Sequence, residues 1–182
     1  MPNYRRARTA GGTYFFTVVT EGRQPIFTIP AARAALRDAI EQVRRQYPFV
    51  IDAWVLLPEH IHCLWTLPEG DSDFSGRWGM IKAGFSKQMK SSLASDGTVS
   101  RSRQRHREVS IWQRRFWEHQ IRDDEDFRRH TDYIHYNPVK HGWVTCASDW
   151  PYSTFRRYVA AGVYPATWGG GDRLISDDRY GE

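Results

Sequence analysis

Cysteine is scarce in this chain, which has only Cys63 and Cys146 among 182 residues. The two lie far apart, without the close spacing of a metal-binding pair, so the sequence predicts free thiols in a reducing compartment rather than a disulfide. No apolar run approaches the roughly 18 residues needed to cross a bilayer. The first residues, Met-Pro-Asn-Tyr-Arg-Arg, also lack the apolar segment of a secretory signal. We therefore expect a cytoplasmic protein that makes no membrane contact.

The formal net charge is also small, at +5, but the arginines are unevenly distributed along the chain. They gather at residues 5–8, 101–107 and 114–115. Clusters of this kind suit a polyanionic partner such as nucleic acid. Solvated arginine faces with no partner are the alternative for each cluster.

Apolar and aromatic residues recur with strand or helix periodicity along most of the chain. The pattern predicts strands at residues 13–20 and 49–57, a strand beginning at His60, and a strand at residues 111–121. It predicts helices at residues 31–46, 78–93 and about 124–136. Residues 94–107 are polar and predict a mobile loop. The order β-α-β-β-α-β followed by a helix predicts an α+β fold, a ferredoxin-like antiparallel sheet (split βαβ) with helices on one face.

Two imidazoles stand on alternate residues of one predicted strand, His60 and His62. Alternate strand residues point to the same face, about 6.6–6.8 Å apart along the chain, so one metal ion can sit between them. Ile61 and Cys63 point to the other face, into a core. A satisfied structural histidine beside an exposed one is the alternative for such a pair taken alone.

The last predicted helix carries Tyr133 and, four residues later, Asn137. At about 100° per residue the two share one flank of the helix, whereas Tyr136 points away from the core. Asn137 precedes Pro138, which disfavours helical geometry at Asn137, so the helix is expected to end there and Asn137 to be either a cap or a metal ligand. His130, on the same flank, is a spare candidate ligand.

The ordered set of motifs resembles the HUH single-tyrosine nucleases, and among them the transposases associated with repetitive extragenic palindromes (REP). The segments that carry the resemblance are Tyr4-Arg5-Arg6, residues 12–19, Leu57-Pro58-Glu59-His60-Ile61-His62, Trp112-Gln113, Phe116-Trp117-Glu118-His119, Ile121-Arg122-Asp123 and residues 133–139. His-hydrophobe-His alone is a weak signal, but the whole ordered set is specific. The resemblance implies an HUH nuclease domain at residues 1–145. The scattered aromatic residues beyond Trp143, the run Gly169-Gly170-Gly171 and the acidic mixed tail predict that residues 146–182 are a poorly packed, partly mobile extension of the same domain.

The resemblance also implies a reaction and its residues. Tyr133 would attack a phosphate of single-stranded DNA that carries a hairpin, giving a 5′-phosphotyrosine. His60, His62 and Asn137 would hold Mg²⁺ or Mn²⁺. A phenol with an ordinary pKa near 10 needs such help to act as a nucleophile at neutral pH. The palindrome-associated branch implies a monomer rather than a dimer.

Two groups of residues look like DNA contacts by the same resemblance. The first, at the N-terminus, comprises Tyr4, Arg5, Arg6 and Arg8. The second is Arg114 and Arg115, which place charge beside the stacking planes of Trp112 and Phe116. Surface arginines over packed aromatic residues are the alternative for both groups.

Two other functions remain open on the sequence. A metal-hydroxide hydrolase could use the His-x-His pair, and it would keep its activity without Tyr133. A non-catalytic hairpin-binding protein would keep the arginines but would tolerate loss of His60, His62 or Tyr133. All three residues are present.

Overall fold

The computed structural model describes residues 9–95 and 111–170. The N-terminal group Tyr4, Arg5, Arg6 and Arg8 lies outside the described residues, as does the arginine-rich segment 101–107. Within the described ranges, no helix is both long enough and apolar enough to cross a membrane.

Among the described residues, four strands form one antiparallel sheet and four α-helices pack around it. The strands are β1 (Thr13–Val19), β2 (Val50–Leu56), β3 (His60–Thr66) and β4 (Trp117–Gln120). The helices are α1 (Pro30–Gln46), α2 (Phe74–Ser95), α3 (Asp124–Lys140) and α4 (Phe155–Ala160). The strand order is β2-β3-β1-β4, with every neighbouring pair antiparallel. This is the predicted split βαβ sheet.

Each strand residue faces one of two cores, because side chains alternate across the sheet. Phe16 and Trp65 face α1 and α2, where Trp65 stacks on Trp78 with ring centroids 4.3 Å apart. Phe15 and Leu64 face the opposite side, which α3 covers. The prediction of helices on one face thus holds for α1 and α2, whereas the additional helix α3 lies on the other face.

The fourth strand is shorter than the predicted segment 111–121. Residues 111–113 do run beside β1, since the Gln113 amide donates to the Val19 carbonyl at 3.0 Å. The chain then leaves the sheet, and Arg114 and Arg115 are exposed in this interruption. Only Trp117–Gln120 resumes regular pairing. The interruption places both arginines on the rim of the sheet.

Helix α3 does not end at Asn137 as predicted but continues to Lys140, with Pro138 inside it. Its true end is a Schellman motif, in which the Trp143 amide donates to the Pro138 carbonyl and the Gly142 amide to the Val139 carbonyl, both at 2.9 Å. Gly142 has the left-handed φ of 71° that this motif requires. Burial of Asn137 and Pro138 holds the last turn helical against the local preference.

The C-terminal extension was predicted to be poorly packed, which is wrong for residues 147–168. Ala147, Phe155 and Tyr164 form a third buried cluster, against which Trp168 packs. Helix α4 docks on β2 where the register shifts between Ile51 and Ala53. The hydroxyl of Tyr158 donates to the Asp52 carbonyl there at 3.0 Å.

The segment just before α4 pairs with the outer edge of β2. The Leu56 amide donates to the Tyr152 carbonyl, and the Thr154 amide donates to the Trp54 carbonyl, both at 2.9 Å. An isolated bridge joins Val55 to Ser153 between them. The extension therefore covers one edge of the sheet.

His135 is fully buried between α3 and this extension, and its chemistry predicts acid sensitivity. Its Nε2 lies 2.8 Å from the Thr154 hydroxyl, and its ring packs on Tyr158 with centroids 4.8 Å apart. Burial, helped by the nearby charge of Arg157, lowers the pKa of His135 to about 3. Below its ordinary pKa of about 6.5, the unfolded chain therefore binds a proton that the folded chain excludes.

We expect the unfolding free energy to fall as the pH drops from about 6.5 towards 3, by at most about 1.4 kcal/mol per pH unit from this group. His135→Gln should remove that contribution, because the glutamine side chain does not titrate in this pH range. Urea unfolding followed by tryptophan fluorescence at pH 7, 6, 5 and 4 measures the difference between the two proteins. Parallel curves for wild type and variant would contradict this role for His135.

Candidate active site

The two predicted metal-binding histidines lie on β3, which has β2 on one side and β1 on the other. His60 and His62 point to the face that α3 covers, and both are almost fully buried. Their rings are 4.7 Å apart between centroids and tilted 80° to each other. One ion between the rings is therefore geometrically reasonable.

A polar neighbour orients each imidazole through Nδ1. His60 Nδ1 lies 3.0 Å from Glu59 Oε1, and His62 Nδ1 lies 2.9 Å from the Thr17 hydroxyl. The hydrogen bond from His60 lowers the pKa of Glu59, so the carboxylate accepts and the ring donates. Nε2 is then the nitrogen that His60 would present to a metal. A carboxylate or hydroxyl behind a ligating histidine is a common arrangement in metal sites.

Tyr133 lies on α3 directly over this pair. It is 1% exposed, and its ring centroid is 5.2 Å from that of His62. Lys140 Nζ donates to the phenolic oxygen at 3.3 Å and lies 4.9 Å from the centre of the ring. Lys140 did not enter the sequence prediction. Lys140 lies seven residues after Tyr133, which is two helical turns and places both on one helix face. The sequence predicted that the helix ends at Asn137, so Lys140 fell outside the predicted helix.

Asn137, the third predicted ligand, is fully buried one turn after Tyr133. The helix extends beyond it, so Asn137 does not cap the helix, and its backbone carbonyl accepts from the His141 amide at 3.0 Å. His141, just past the end of α3, places its ring 5.4 Å from that of His60. His141 could not be predicted from the sequence, because its position depends on how α3 ends.

Tyr136 points away from the sheet, as its position on the helix predicted. Its ring centroid lies 6.2 Å from that of Trp168 in the C-terminal extension. It is also buried, at 6% exposure. Of the two tyrosines, Tyr133 is therefore the one beside the histidines.

A second group could also hold a cation: His119, Asp126 and His130 offer ligand atoms within 4.8 Å of one another. Asp126 already accepts from His119 Nε2 at 2.8 Å and from the Arg122 amide at 3.1 Å. Burial raises the pKa of Asp126, but these hydrogen bonds outweigh it and bring the pKa to about 2. His130, the predicted spare ligand, belongs to this group rather than to the His60 pair.

The local charge favours a structural role for the second group. The Asp126 carboxylate lies 3.2 Å from the guanidinium of Arg122 and 3.9 Å from that of Arg129. A divalent ion would be repelled by both. Asp126 also lies in the first turn of α3, where its amide donates to the Asp123 side chain at 2.8 Å. At the His60 pair, by contrast, a carboxylate lies against an imidazole, since Glu59 Oε1 is 3.0 Å from His60 Nδ1.

An antiparallel split βαβ sheet with paired histidines on an inner strand, and a tyrosine on the helix above them, is the arrangement of the HUH class of tyrosine nucleases. Similar proteins agree with it. A REP-associated tyrosine transposase of Escherichia coli K12 is 48% identical over 183 residues, covering 97% of this chain and 100% of that protein. A protein of Haemophilus influenzae named for the same family is 46% identical over 174 residues, covering 96% of this chain and 97% of its own.

A solved structure of a REP-associated tyrosine transposase bound to a REP hairpin superposes with a TM-score of 0.80 at 49% sequence identity. The match covers 100% of this chain and 98% of that one. No protein-family model matches the chain. The chain belongs to the REP-associated tyrosine transposases. HUH transposases generally need a metal ion, and the His119, Asp126 and His130 group has the donor atoms for one, although two arginines beside Asp126 oppose a divalent ion there.

Proposed function

We propose that this transposase is a metal-dependent endonuclease and strand transferase for single-stranded DNA that contains a hairpin. The observation that carries the proposal is the placement of Tyr133, whose ring lies 5.2 Å from that of His62 under the ammonium group of Lys140. The match to a relative solved with a REP hairpin supports a hairpin as the partner.

His60, His62 and Asn137 are the residues that would hold a divalent ion, Mg²⁺ or Mn²⁺, which when bound polarises a non-bridging phosphate oxygen. Glu59 and Thr17 would keep the two imidazoles in the ligating orientation. Neutral imidazole nitrogens with an amide oxygen form a plausible donor set for either ion once phosphate and water oxygens complete the coordination.

Tyr133 supplies the nucleophile in this proposal. Its phenolic oxygen loses a proton and bonds to phosphorus, the bond from phosphorus to the 3′ oxygen breaks, and that oxygen leaves as a hydroxyl after protonation. The products are a 5′-phosphotyrosine and a free 3′-hydroxyl. The phosphotyrosine ester retains the energy of the broken bond, so the 3′-hydroxyl of another strand can attack it and rejoin DNA without ATP.

Binding of DNA is assigned in this proposal to two sets of residues. Arg114 and Arg115 are exposed on the rim of the sheet, where they can reach phosphates. The N-terminal set is Tyr4, Arg5, Arg6 and Arg8. We also propose that the protein acts as a monomer in the cytoplasm.

Covalent capture tests the proposed function. The purified protein is mixed with labelled hairpin oligonucleotides that carry single-stranded flanks, with Mg²⁺ or Mn²⁺ and with chelator as control. A labelled protein band that survives denaturing electrophoresis, forms only with metal and is released by a protease is the expected result. Cleavage without any such band would refute the tyrosine mechanism.

Lys140 should assist Tyr133 by stabilising the phenolate. With the ammonium 3.3 Å from the phenolic oxygen, we expect Lys140→Gln to slow cleavage at pH 7 by about tenfold to a hundredfold. The loss should shrink towards pH 9, where hydroxide removes the phenolic proton more readily, and Lys140→Arg should retain more activity than Lys140→Gln. Single-turnover rates from pH 7 to 9 measure this. A uniform loss at every pH would show that Lys140 only positions the helix.

A further inference from the structure

Three aromatic side chains follow one another from the turn after α3 to the edge of β2. Trp143 and Trp150 have ring centroids 6.4 Å apart, and Trp150 and Tyr152 have theirs 5.7 Å apart. We call these three residues the aromatic track. Trp150 is held in place, since its Nε1 donates to the Leu56 carbonyl at 3.0 Å. The two outer rings are open to solvent.

That exposure is large for such residues. Trp143 is 53% exposed and Tyr152 is 38% exposed, although large aromatic side chains are normally the most favourable to bury. Exposed rings beside a fixed one form a surface on which flat ligands can stack. Unlike the buried clusters, this surface contributes little to the core.

The track starts just after the end of α3, the helix that carries Tyr133. Trp143 is the residue whose amide closes the end of α3 on the Pro138 carbonyl, and His141, two residues earlier, lies against His60. From there the track passes Trp150, which packs beside the core under α3. It ends at Tyr152, on the segment that pairs with the edge of β2.

At Tyr152 the aromatic track meets positive charge. The guanidinium carbon of Arg33 lies 4.6 Å from the centre of the Tyr152 ring. Beyond it runs a groove of about 490 Å³ between α1, β2 and the segment before α4. Four arginines line this arginine groove: Arg33, Arg37, Arg44 and Arg157.

The groove has little acid to neutralise it. Its one acidic lining residue, Glu41, pairs with Arg45 outside the groove at 3.8 Å. Within residues 9–95 and 111–170, none of the four groove arginines forms an ion pair. Arg33, Arg44 and Arg157 donate to backbone carbonyls, which leaves their charges unneutralised, and the nearest acidic influence on Arg157 is Asp52. Such a groove is complementary to a chain of phosphates.

We propose that the aromatic track and the arginine groove together bind the single-stranded DNA that flanks the hairpin, guiding it to or from Tyr133. Stacking rings that lead into a cationic groove fit unpaired bases on a phosphate backbone, whereas paired bases are stacked inside a duplex and cannot reach the rings. The inference rests on the proposed function for the identity of the substrate. It assigns a binding surface that includes neither Arg114 nor Arg115.

The test uses two labelled probes, (dT)15 and a hairpin without single-stranded flanks, measured by fluorescence anisotropy with the full chain. Trp143→Ala/Tyr152→Ala should raise the dissociation constant for (dT)15 about tenfold or more, and that for the unflanked hairpin less than twofold. Trp143→Phe/Tyr152→Phe, which keeps the flat rings, should bind (dT)15 nearly as wild type does. Arg37→Gln should make the dependence of log Kd on log salt shallower by about 0.7.

Unchanged binding of (dT)15 by the double alanine variant would overturn the proposal, as would an equal loss for both probes. A shift from dimer to monomer in that variant, seen by sedimentation without any change in DNA binding, would overturn it too, because the face would then serve a second copy of the chain. The outcome is separable from the proposed function. Tyr133→Phe should bind (dT)15 normally. Loss of the adduct therefore tests the proposed function, and loss of (dT)15 binding tests the proposed binding surface.

Discussion

Tyr133→Phe is expected to abolish both the covalent protein–DNA adduct and all strand cleavage, to below one part in about 10⁴ of the wild-type rate. The change removes one oxygen from a ring that is 1% exposed and leaves its packing on Phe15 and His62 in place. Metal affinity and the unfolding free energy should therefore stay close to those of wild type. Denaturing electrophoresis with labelled DNA and calorimetric metal titration measure the two sides of this prediction.

Tyr136→Phe is the matched control. Tyr136 lies on the same helix, is similarly buried and contacts Trp168 rather than the histidines. Its adduct yield and cleavage rate should match those of wild type. If Tyr136→Phe loses the adduct and Tyr133→Phe keeps it, our assignment of the nucleophile is wrong. If both variants still cut DNA, the metal-hydroxide hydrolase is the better mechanism.

His60→Ala and His62→Ala are each expected to abolish cleavage while leaving hairpin affinity within a fewfold of wild type. Affinity should persist because arginines bind the phosphates, whereas cleavage should be lost because the imidazoles hold the metal. Because both rings are buried, His60→Gln and His62→Gln provide versions that leave smaller cavities. Manganese titration, cleavage rates and anisotropy are measured on all four proteins.

The second histidine group provides the control. His130→Gln alters the cluster around Asp126 and leaves both His60 and His62 in the chain, so it should keep both manganese binding and cleavage. Loss of manganese binding in His130→Gln, with retention in His62→Gln, would move the metal to the second group. Loss of hairpin affinity in every His60 and His62 variant would show instead that the pair is structural.

The sheet could be predicted because its signals are local. Strand periodicity, the Pro58-Glu59 turn and the alternation of His60 with Ile61 are all readable within a few residues. The end of α3 could not be predicted in the same way. Pro138 predicts from local sequence that the helix ends early. The burial of Asn137 in the folded protein outweighs this local preference and keeps the last turn helical. Gly142 was the signal that could have marked the true end.

The residues of the candidate site likewise fall into two groups: those that sequence spacing predicts and those that only the fold brings together. Tyr133, His60 and His62 follow from sequence spacing and meet in the structure as expected. Thr17 and His141 could not be found from spacing, since strand register brings Thr17 opposite His62 and the Schellman turn brings His141 to His60. The C-terminal cluster was missed because its aromatic residues are scattered along the chain, without a helical or strand period.

The segment that pairs with β2 has a consequence for self-association. Open sheet edges invite strand exchange and edge-to-edge joining between copies of a chain. Here the edge of β2 is occupied by Tyr152 and Thr154. The opposite edge, β4, has only four regular residues and is preceded by exposed Arg114 and Arg115. Strand-mediated aggregation is thus opposed at both edges, by cover at one and by a short strand flanked by charge at the other.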